Sequence, residues 1–235
     1  MDEVIELYNS NKLIIRAMDA PGYIKRNDEI YYDCSTWANE FELMQLGKFS
    51  SVSSTLLIPN VPVSTYKNVG FLINSDTADC FHICKSDSGS CGNMLDGDFS
   101  ANKPDFETIS ELAEYIIENK DSTMNEVNLN ADLSAVVGLV VCKCTKEKIY
   151  IKRMLAVQNA IERLTGKKYG IYEYDKSTGK ISPIEITDSL IKDIINETKE
   201  SGLNSTNNFY YVTDNSDEIV TGTVIDDSYI QDMVK

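Results

Sequence analysis

Apolar segments of strand length recur along this chain, and none of them is long enough to cross a lipid bilayer. The longest, Ala135 to Cys142, is only strand-sized, whereas a membrane-spanning helix needs roughly 18 to 20 consecutive apolar residues. The chain therefore builds its structure from short elements separated by polar turns. We expect no membrane partner.

The clearest helix is predicted over Asp105–Asn119, where Ile109, Leu112 and Ile116 share one face and acidic residues occupy the other. We interpret that acidic face as a solvated surface without a chemical role. Weaker helical patterns cover Thr36–Leu46, Leu155–Leu164 and Ser189–Glu200, with a short helix or strand turn at Val4–Tyr8.

Apolar and β-branched segments bounded by turn residues predict the strands. They are Leu13 to Arg16, Ile24–Asp33, Phe49–Ile58, Asn68–Asn74, Cys80–Cys84, Glu126–Leu133, Ser134–Cys144, a hairpin over Tyr169–Ile186, and a last pair, Phe209–Thr213 with Glu218–Ile225. Lys146-Glu147 marks a turn into Lys148–Ile151, so we interpret the basic segment Lys143–Arg153 as a solvated hairpin edge leading into a helix.

This mixture predicts an α+β fold with a mainly antiparallel mixed sheet and flanking helices. No internal repeat or boundary divides the chain before about residue 200. The sequence therefore predicts one domain over 1–235, or a core over 1–145 with a C-terminal extension over 146–235.

The charge balance limits the class of partner. Acidic residues outnumber basic ones 37 to 22, which gives a net charge of −15. A field of that sign repels phosphate backbones, so we expect no nucleic-acid partner and instead a protein target or a basic protein partner. The acidic start Met1-Asp2-Glu3 has no signal-peptide pattern, which favours a cytoplasmic protein or one secreted into a host cell without a classical signal peptide.

Most strong catalytic motifs are absent. The sequence contains no GxxxxGK[ST], GxGxxG, HExxH or GxSxG pattern and a single histidine, His82. One alternative is a thiol hydrolase in which Cys91 is the nucleophile and His82 its base. Another is a zinc site drawn from Cys80, Cys84, Cys91, Cys142 and Cys144, but the CxxxC and CxC spacings differ from paired CxxC ligands. We predict reduced thiols and no metal.

Three segments in chain order carry a resemblance to a known family: Arg16 at the end of a strand, the hydroxyl-rich strand Ser53-Ser54-Thr55, and Glu126 leading a later strand. Their surroundings read LIIRAMDAPGYIKR, FSSVSST, NVGFLINSDTADCFHI and EVNLNADLSAVVGLVV. Over about residues 12 to 144 this pattern resembles the mono-ADP-ribosyltransferase toxins of the cholera and pertussis type.

The resemblance implies NAD as a substrate, transferred in part to a protein target by a bacterial toxin or effector. It implies that Arg16 holds the phosphate or ribose of NAD, that Ser53, Ser54 and Thr55 support the pocket, and that Glu126 binds the ribose 2′-hydroxyl. A carboxylate beside the ribose can stabilise an oxocarbenium-like state without histidine or metal. Met124 stands where arginine-modifying members carry a second glutamate, so the acceptor stays open.

The other hypothesis is a non-enzymatic acidic protein, such as an immunity protein, antitoxin or anti-defence inhibitor. Such a protein blocks a basic partner through charge complementarity, which speeds association and weakens with salt. The net charge of −15 and the lack of a strong catalytic motif favour it.

Overall fold

The structure is a computed structural model that describes residues 2–26, 29–65, 67–86, 104–119, 125–200 and 210–212. Within these residues the helices are α1 (Glu3–Asn9), α2 (Ser35–Gln45), α3 (Ile109–Asn119), α4 (Glu147–Thr165) and α5 (Asp188–Glu200). The strands are β1 (Leu13–Met18), β2 (Gly22–Arg26), β3 (Glu29–Asp33), β4 (Phe49–Leu57), β5 (Val69–Asn74), β6 (Asp79–Cys84), β7 (Glu126–Ala131), β8 (Val136–Cys142), β9 (Ile171–Asp175), β10 (Lys180–Pro183) and β11 (Tyr210–Val212).

Eight of these strands form one sheet in the order β10-β9-β8-β5-β1-β4-β7-β6. All of its pairs are antiparallel except β8 with β9, which run parallel. A smaller sheet has the order β11-β3-β2, with β11 parallel to β3. The α+β prediction with a mainly antiparallel mixed sheet is therefore confirmed.

Two hydrophobic cores cover the two faces of the large sheet. The helix-side core contains buried side chains of α2, α3, α4 and α5, including Trp37, Leu112 and Met154. The α1-side core contains Val4 and Tyr8 of α1 together with strand residues. Strand side chains alternate between faces, so the sheet places even and odd residues of β1 in different cores.

Helix α4 shows where the sequence interpretation was wrong. The segment read as a turn and hairpin edge at 143–153 is instead largely the start of a continuous helix over Glu147–Thr165. Ile151 and Lys152 are both buried, and burial lowers the pKa of Lys152 to about 8. The charge of Lys152 led to the prediction of an exposed edge. In the fold, neighbouring elements pack over the long aliphatic part of the Lys152 side chain and bury it.

Three other elements differ from the sequence predictions in where they begin or in how they pair. Helix α3 begins at Ile109, because Phe106 pairs with Ile83 of β6 instead of starting the helix. The predicted strand Ile24–Asp33 is part of the hairpin β2–β3. The last strand β11 pairs with β3, and its predicted partner Glu218–Ile225 lies outside the described residues.

The turn between β9 and β10 packs against the loop that follows β4, and the Tyr8 side chain bridges the two. The Tyr8 hydroxyl donates to the Gly179 carbonyl and accepts from the Asn60 N–H. Gly179 has a φ of +70°, and a Cβ there would lie 2.5 Å from the carbonyl carbon of Val61. Both the backbone angle and the space therefore require glycine.

We expect Gly179→Ala to lower the free energy of unfolding by at least about 1 kcal/mol more than Gly166→Ala, because only the first adds a clash to the backbone strain. Gly166 is the matched control, since its φ is +72° and a Cβ there meets nothing within 4 Å. Urea unfolding of both variants measures the difference. Equal losses would show that the Val61 contact relaxes at no cost.

Glu147 in the first turn of α4 lies beside Glu173 of β9. Burial, followed by the hydrogen bond and charge of Glu173, raises the pKa of Glu147 to about 7, against an ordinary value of 4.5. Lys143 Nζ lies 3.8 Å from Glu173 Oε1 and opposes the shift. Between these two pH values the folded state retains a proton that the unfolded chain releases.

The free energy of unfolding should therefore fall as the pH rises from 4.5 through about 7, because the folded state binds the extra proton. We expect Glu147→Gln to flatten this slope, measured by urea unfolding at a series of pH values. Glu42→Gln, at an exposed position of α2, should keep the wild-type slope. An unchanged slope in Glu147→Gln would contradict the assignment.

Candidate functional site

The three segments of the predicted NAD site lie on neighbouring strands. Arg16 is on β1, Ser53 to Thr55 are on β4, and Glu126 begins β7. These strands are adjacent in the sheet in the order β1-β4-β7. The sequence thus identified strands that the fold does bring side by side.

Arg16 ties its own strand to two other elements. Its Nη1 donates to the Ser53 carbonyl at 3.1 Å, and its Nη2 lies 3.3 Å from Glu40 Oε1 on α2. Arg16 Nε and Glu40 Oε2 have no hydrogen-bond partner in the described part of the chain, so the ion pair uses one nitrogen and one oxygen. These contacts hold β4 and α2 against β1.

A pocket of about 320 Å³ opens beside this ion pair. Its lining includes Asp19, Asp33 and Lys67 in addition to Arg16 and Glu40. Lys67 is itself paired with Asp19 at 2.9 Å. Each cation of the lining already faces a carboxylate, which leaves little positive charge for the phosphates of a dinucleotide.

Glu126 lies on the opposite face of the sheet from Arg16. Arg16 lies on the same face of β1 as Ile14 and Met18, which belong to the helix-side core, and it contacts Glu40 on that side. Val127 and Leu129 of β7 also belong to the helix-side core. Because strand side chains alternate, Glu126 projects from the other face. A pocket on one face cannot receive both side chains.

Glu126 instead belongs to a group of buried polar residues on β6 and β7, which we call the β6–β7 polar cluster. Its other members are His82, Cys84 and Asn128. Cys84 Sγ and Asn128 Nδ2 each lie 3.4 Å from His82 Nδ1, and Glu126 stands opposite Cys84 in the strand register. Strand alternation could have predicted that His82 and Cys84 share a face.

This cluster changes the two thiol hypotheses. The cysteine that contacts His82 is Cys84, whereas the predicted nucleophile Cys91 lies outside the described residues. Within the described ranges, no group of three or more histidine, cysteine or acidic side chains could hold a metal ion. Burial raises the pKa of Cys142, and it raises that of Cys80 to about 11, which disfavours the thiolate form in both.

The hydroxyl-rich strand β4 has an irregular register between Ser51 and Ser54. Asn125, just before β7, compensates for it: its Oδ1 accepts from the Leu56 N–H at 2.8 Å and its Nδ2 donates to the Leu56 carbonyl at 3.1 Å. Ser54 is buried, and Ser53 is exposed. This part of the predicted pocket is joined to β7 through Asn125, a residue that the sequence analysis did not select.

Comparison with known proteins supplies no family: no protein-family model matches the chain, and no curated protein sequence matches it. Among the described helices, none is long and apolar enough to span a bilayer.

A strongly acidic surface follows helix α3. Its acids are Glu107, just before the helix, and Glu111, Glu114 and Glu118, and all four are exposed. Spacings of three and four residues place them on one side of the helix, and we call them the α3 acidic stripe. The sequence predicted a solvated surface without a chemical role here, although the spacing of these acids is already visible in it.

A shallow groove of about 460 Å³ runs along the stripe, and we call it the α3 groove. Two aromatic rings, Phe106 and Tyr115, line it, with ring centroids 5.4 Å apart and planes at 47°. The carboxylates that line it are Asp105, Glu107, Glu111, Glu114 and Glu118. An aromatic surface with acidic side chains around it attracts cations through both the ring faces and the carboxylates.

The acids that line the α3 groove differ in their structural roles. Glu111 Oε2 accepts from the Thr108 N–H at 3.2 Å and the Thr108 hydroxyl accepts from the Glu111 N–H at 3.2 Å, which is a capping box. Asp105 is engaged by Lys85, whose N–H donates to it at 3.0 Å. By contrast, Glu107, Glu114 and Glu118 form no side-chain hydrogen bond or ion pair within the described residues.

The transferase hypothesis stays a prediction from the sequence, and the positions of Arg16 and Glu126 allow it to be tested. Because the two side chains lie on opposite faces, we expect purified protein incubated with NAD to release no nicotinamide above the buffer rate. Chromatography of the reaction mixture measures the release. Release that both Arg16→Ala and Glu126→Gln abolish would contradict this expectation and restore the NAD site.

Proposed function

We propose that this chain is an acidic protein-binding module that holds a basic segment of a partner protein in the α3 groove. The observation that carries the proposal is the exposed stripe of Glu107, Glu111, Glu114 and Glu118 beside Phe106 and Tyr115. The proposal specifies a surface for the non-enzymatic acidic interaction protein that the sequence left as an alternative.

The stripe is electrostatically unfavourable for the free protein. Like charges three or four residues apart on a helix destabilise it by about 0.2–0.5 kcal/mol per pair. Glu118 also lies in the last turn of α3, which contains no basic residue, and a negative charge at a helix C-terminus opposes the helix dipole. A local cost that no contact within the described residues offsets is typical of functional sites.

A basic partner would remove that cost on binding. A cationic segment neutralises the repulsion between the glutamates, so their interaction with it includes the relief of an unfavourable term. The net charge of −15 adds long-range attraction that speeds the encounter of such a partner. Both effects weaken with ionic strength, since the Debye length is only about 8 Å at 0.15 M salt.

Different residues of α3 pack in the core and face the groove. Leu112, Ala113 and Ile116 attach the helix to the helix-side core, whereas Glu114 and Glu118 are exposed. Substitutions of the two glutamates should therefore leave the fold intact. This makes the proposal testable without loss of structure.

NAD-dependent mono-ADP-ribosyl transfer is the second candidate function. The observation that favours it is the adjacency of β1, β4 and β7, which carry Arg16, Ser53 to Thr55, and Glu126. The opposite orientation of Arg16 and Glu126 places it second. The nicotinamide experiment described above distinguishes it from binding alone.

We expect the double variant Glu114→Lys with Glu118→Lys to weaken binding of a fluorescent basic peptide by about tenfold or more, because reversed charges in the groove repel it. The probe is a ten-residue peptide of alternating lysine and arginine, about 30 Å when extended, and fluorescence anisotropy at low and physiological salt measures its affinity. Thermal unfolding should show a stability equal to or above that of the wild type.

The matched control is Glu42→Lys with Glu185→Lys, two exposed positions outside the groove. It changes the net charge by the same amount, so it reports the effect of overall charge alone. We expect a loss of about twofold or less in this control. Equal losses in the two double variants would show that the peptide responds to net charge and that α3 is not its site.

A further inference from the structure

We propose that the α3 groove is built for an arginine side chain of the partner, with the guanidinium held against the rings of Phe106 and Tyr115 and paired with the glutamates beside them. This inference rests on the proposed function, since it names the residue type that the same groove selects. It assigns a binding role to Phe106 and Tyr115, whose presence in the groove charge complementarity alone does not explain.

The two rings belong both to the groove and to the margin of the core. Phe106 and Tyr115 are partly buried and pack against the helix-side core, while they also line the groove. Their planes meet at 47°, so the two faces are not stacked on each other. Each ring therefore has surface left to contact a ligand.

The backbone of the 105–106 segment is fixed before any partner binds. The N–H groups of Asp105 and Phe106 both donate to the Ile83 carbonyl of β6, at 3.0 and 3.2 Å. Asp105 in turn accepts from the Lys85 N–H and lies 3.5 Å from Lys85 Nζ. A surface that is ordered in advance loses less conformational entropy on binding.

The carboxylates without a structural contact in the described part of the chain line the same groove as the rings. Glu111 is used by the helix cap and Asp105 by Lys85. Glu114 directly precedes Tyr115, Glu118 lies about one turn further along the helix, and Glu107 lies next to Phe106 in the chain. A cation over either ring thus meets a carboxylate that has no other hydrogen bond or ion pair within the described residues.

This combination favours guanidinium over ammonium. Guanidinium is planar and weakly hydrated, so it stacks on an aromatic face at a small desolvation cost while its edge donates two parallel hydrogen bonds to one carboxylate. The lysine ammonium is a compact, strongly hydrated charge that gains less from a ring in contact with water. A groove with acids alone would not make this distinction.

The test compares two ten-residue peptides that differ only in having arginine or lysine at every basic position. We expect wild-type protein to bind the arginine peptide about two- to tenfold more tightly, from the ordinary size of cation–π contacts. Tyr115→Leu and Phe106→Leu should each reduce this preference towards equality and change the affinity for the lysine peptide little.

Two control variants distinguish the loss of an aromatic ring in the groove from a general effect of substitution on the structure. Tyr115→Phe keeps the ring and should retain the preference for arginine. Phe81→Leu removes an aromatic residue of β6 that is 47% exposed and lies outside the groove, and it should behave as wild type. Circular dichroism confirms that each variant is folded.

The outcomes distinguish this inference from the proposed function. Equal affinity of the wild type for both peptides, with Glu114 and Glu118 still required, would overturn the arginine selection and leave the basic partner in place. Binding that depends on neither glutamate nor on either ring would overturn both. An arginine preference that persists in Tyr115→Leu and Phe106→Leu would also overturn this inference, because it would arise elsewhere.

Discussion

Strand β1 is buried on both faces of the large sheet, and both layers of the fold depend on it. Leu13, Ile14 and Ile15 have no exposed surface. Leu13 and Ile15 belong to the α1-side core and Ile14 to the helix-side core. Since β4 and β5 pair with its two edges, β1 joins the strands of the two halves of the sheet. Burial of fully apolar side chains on both faces is the largest favourable contribution such a strand can make.

The same alternation decides what Arg16 can do. It follows Ile15 on β1 and projects to the helix side, where Glu40 and the Ser53 carbonyl contact it. The ion pair is partly buried, with about a fifth of each side chain exposed, so its solvation differs from that of a surface pair. Arg16 therefore connects β1, β4 and α2. Glu126, by alternation on β7, projects from the other face of the sheet, where it is buried within the β6–β7 polar cluster.

Helix α3 combines two requirements in adjacent stripes. One stripe, with Leu112 and Ile116, supplies apolar surface to the helix-side core, and the other presents acids to solvent. Within the described residues, Glu111 is the one acid of this stripe whose side chain the fold engages, at the cap. Glu114 and Glu118 add like-charge repulsion, and no hydrogen bond or ion pair within the described residues offsets it. Phe106, held by β6, connects the stripe to the sheet.

The sequence by itself determined the positions of most helices and strands, the α+β class and the two stripes of α3, because periods of 2 and 3.6 residues are local properties. It also placed Arg16, the serine strand and Glu126 in segments that became neighbouring strands. Only the tertiary structure decided that Arg16 and Glu126 face opposite sides, since this depends on the register between β1, β4 and β7. It likewise decided that His82 meets Asn128, that packing buries Lys152 of α4, and that Phe106 reaches the groove. Those outcomes depend on contacts between residues distant in sequence, which a local pattern does not specify.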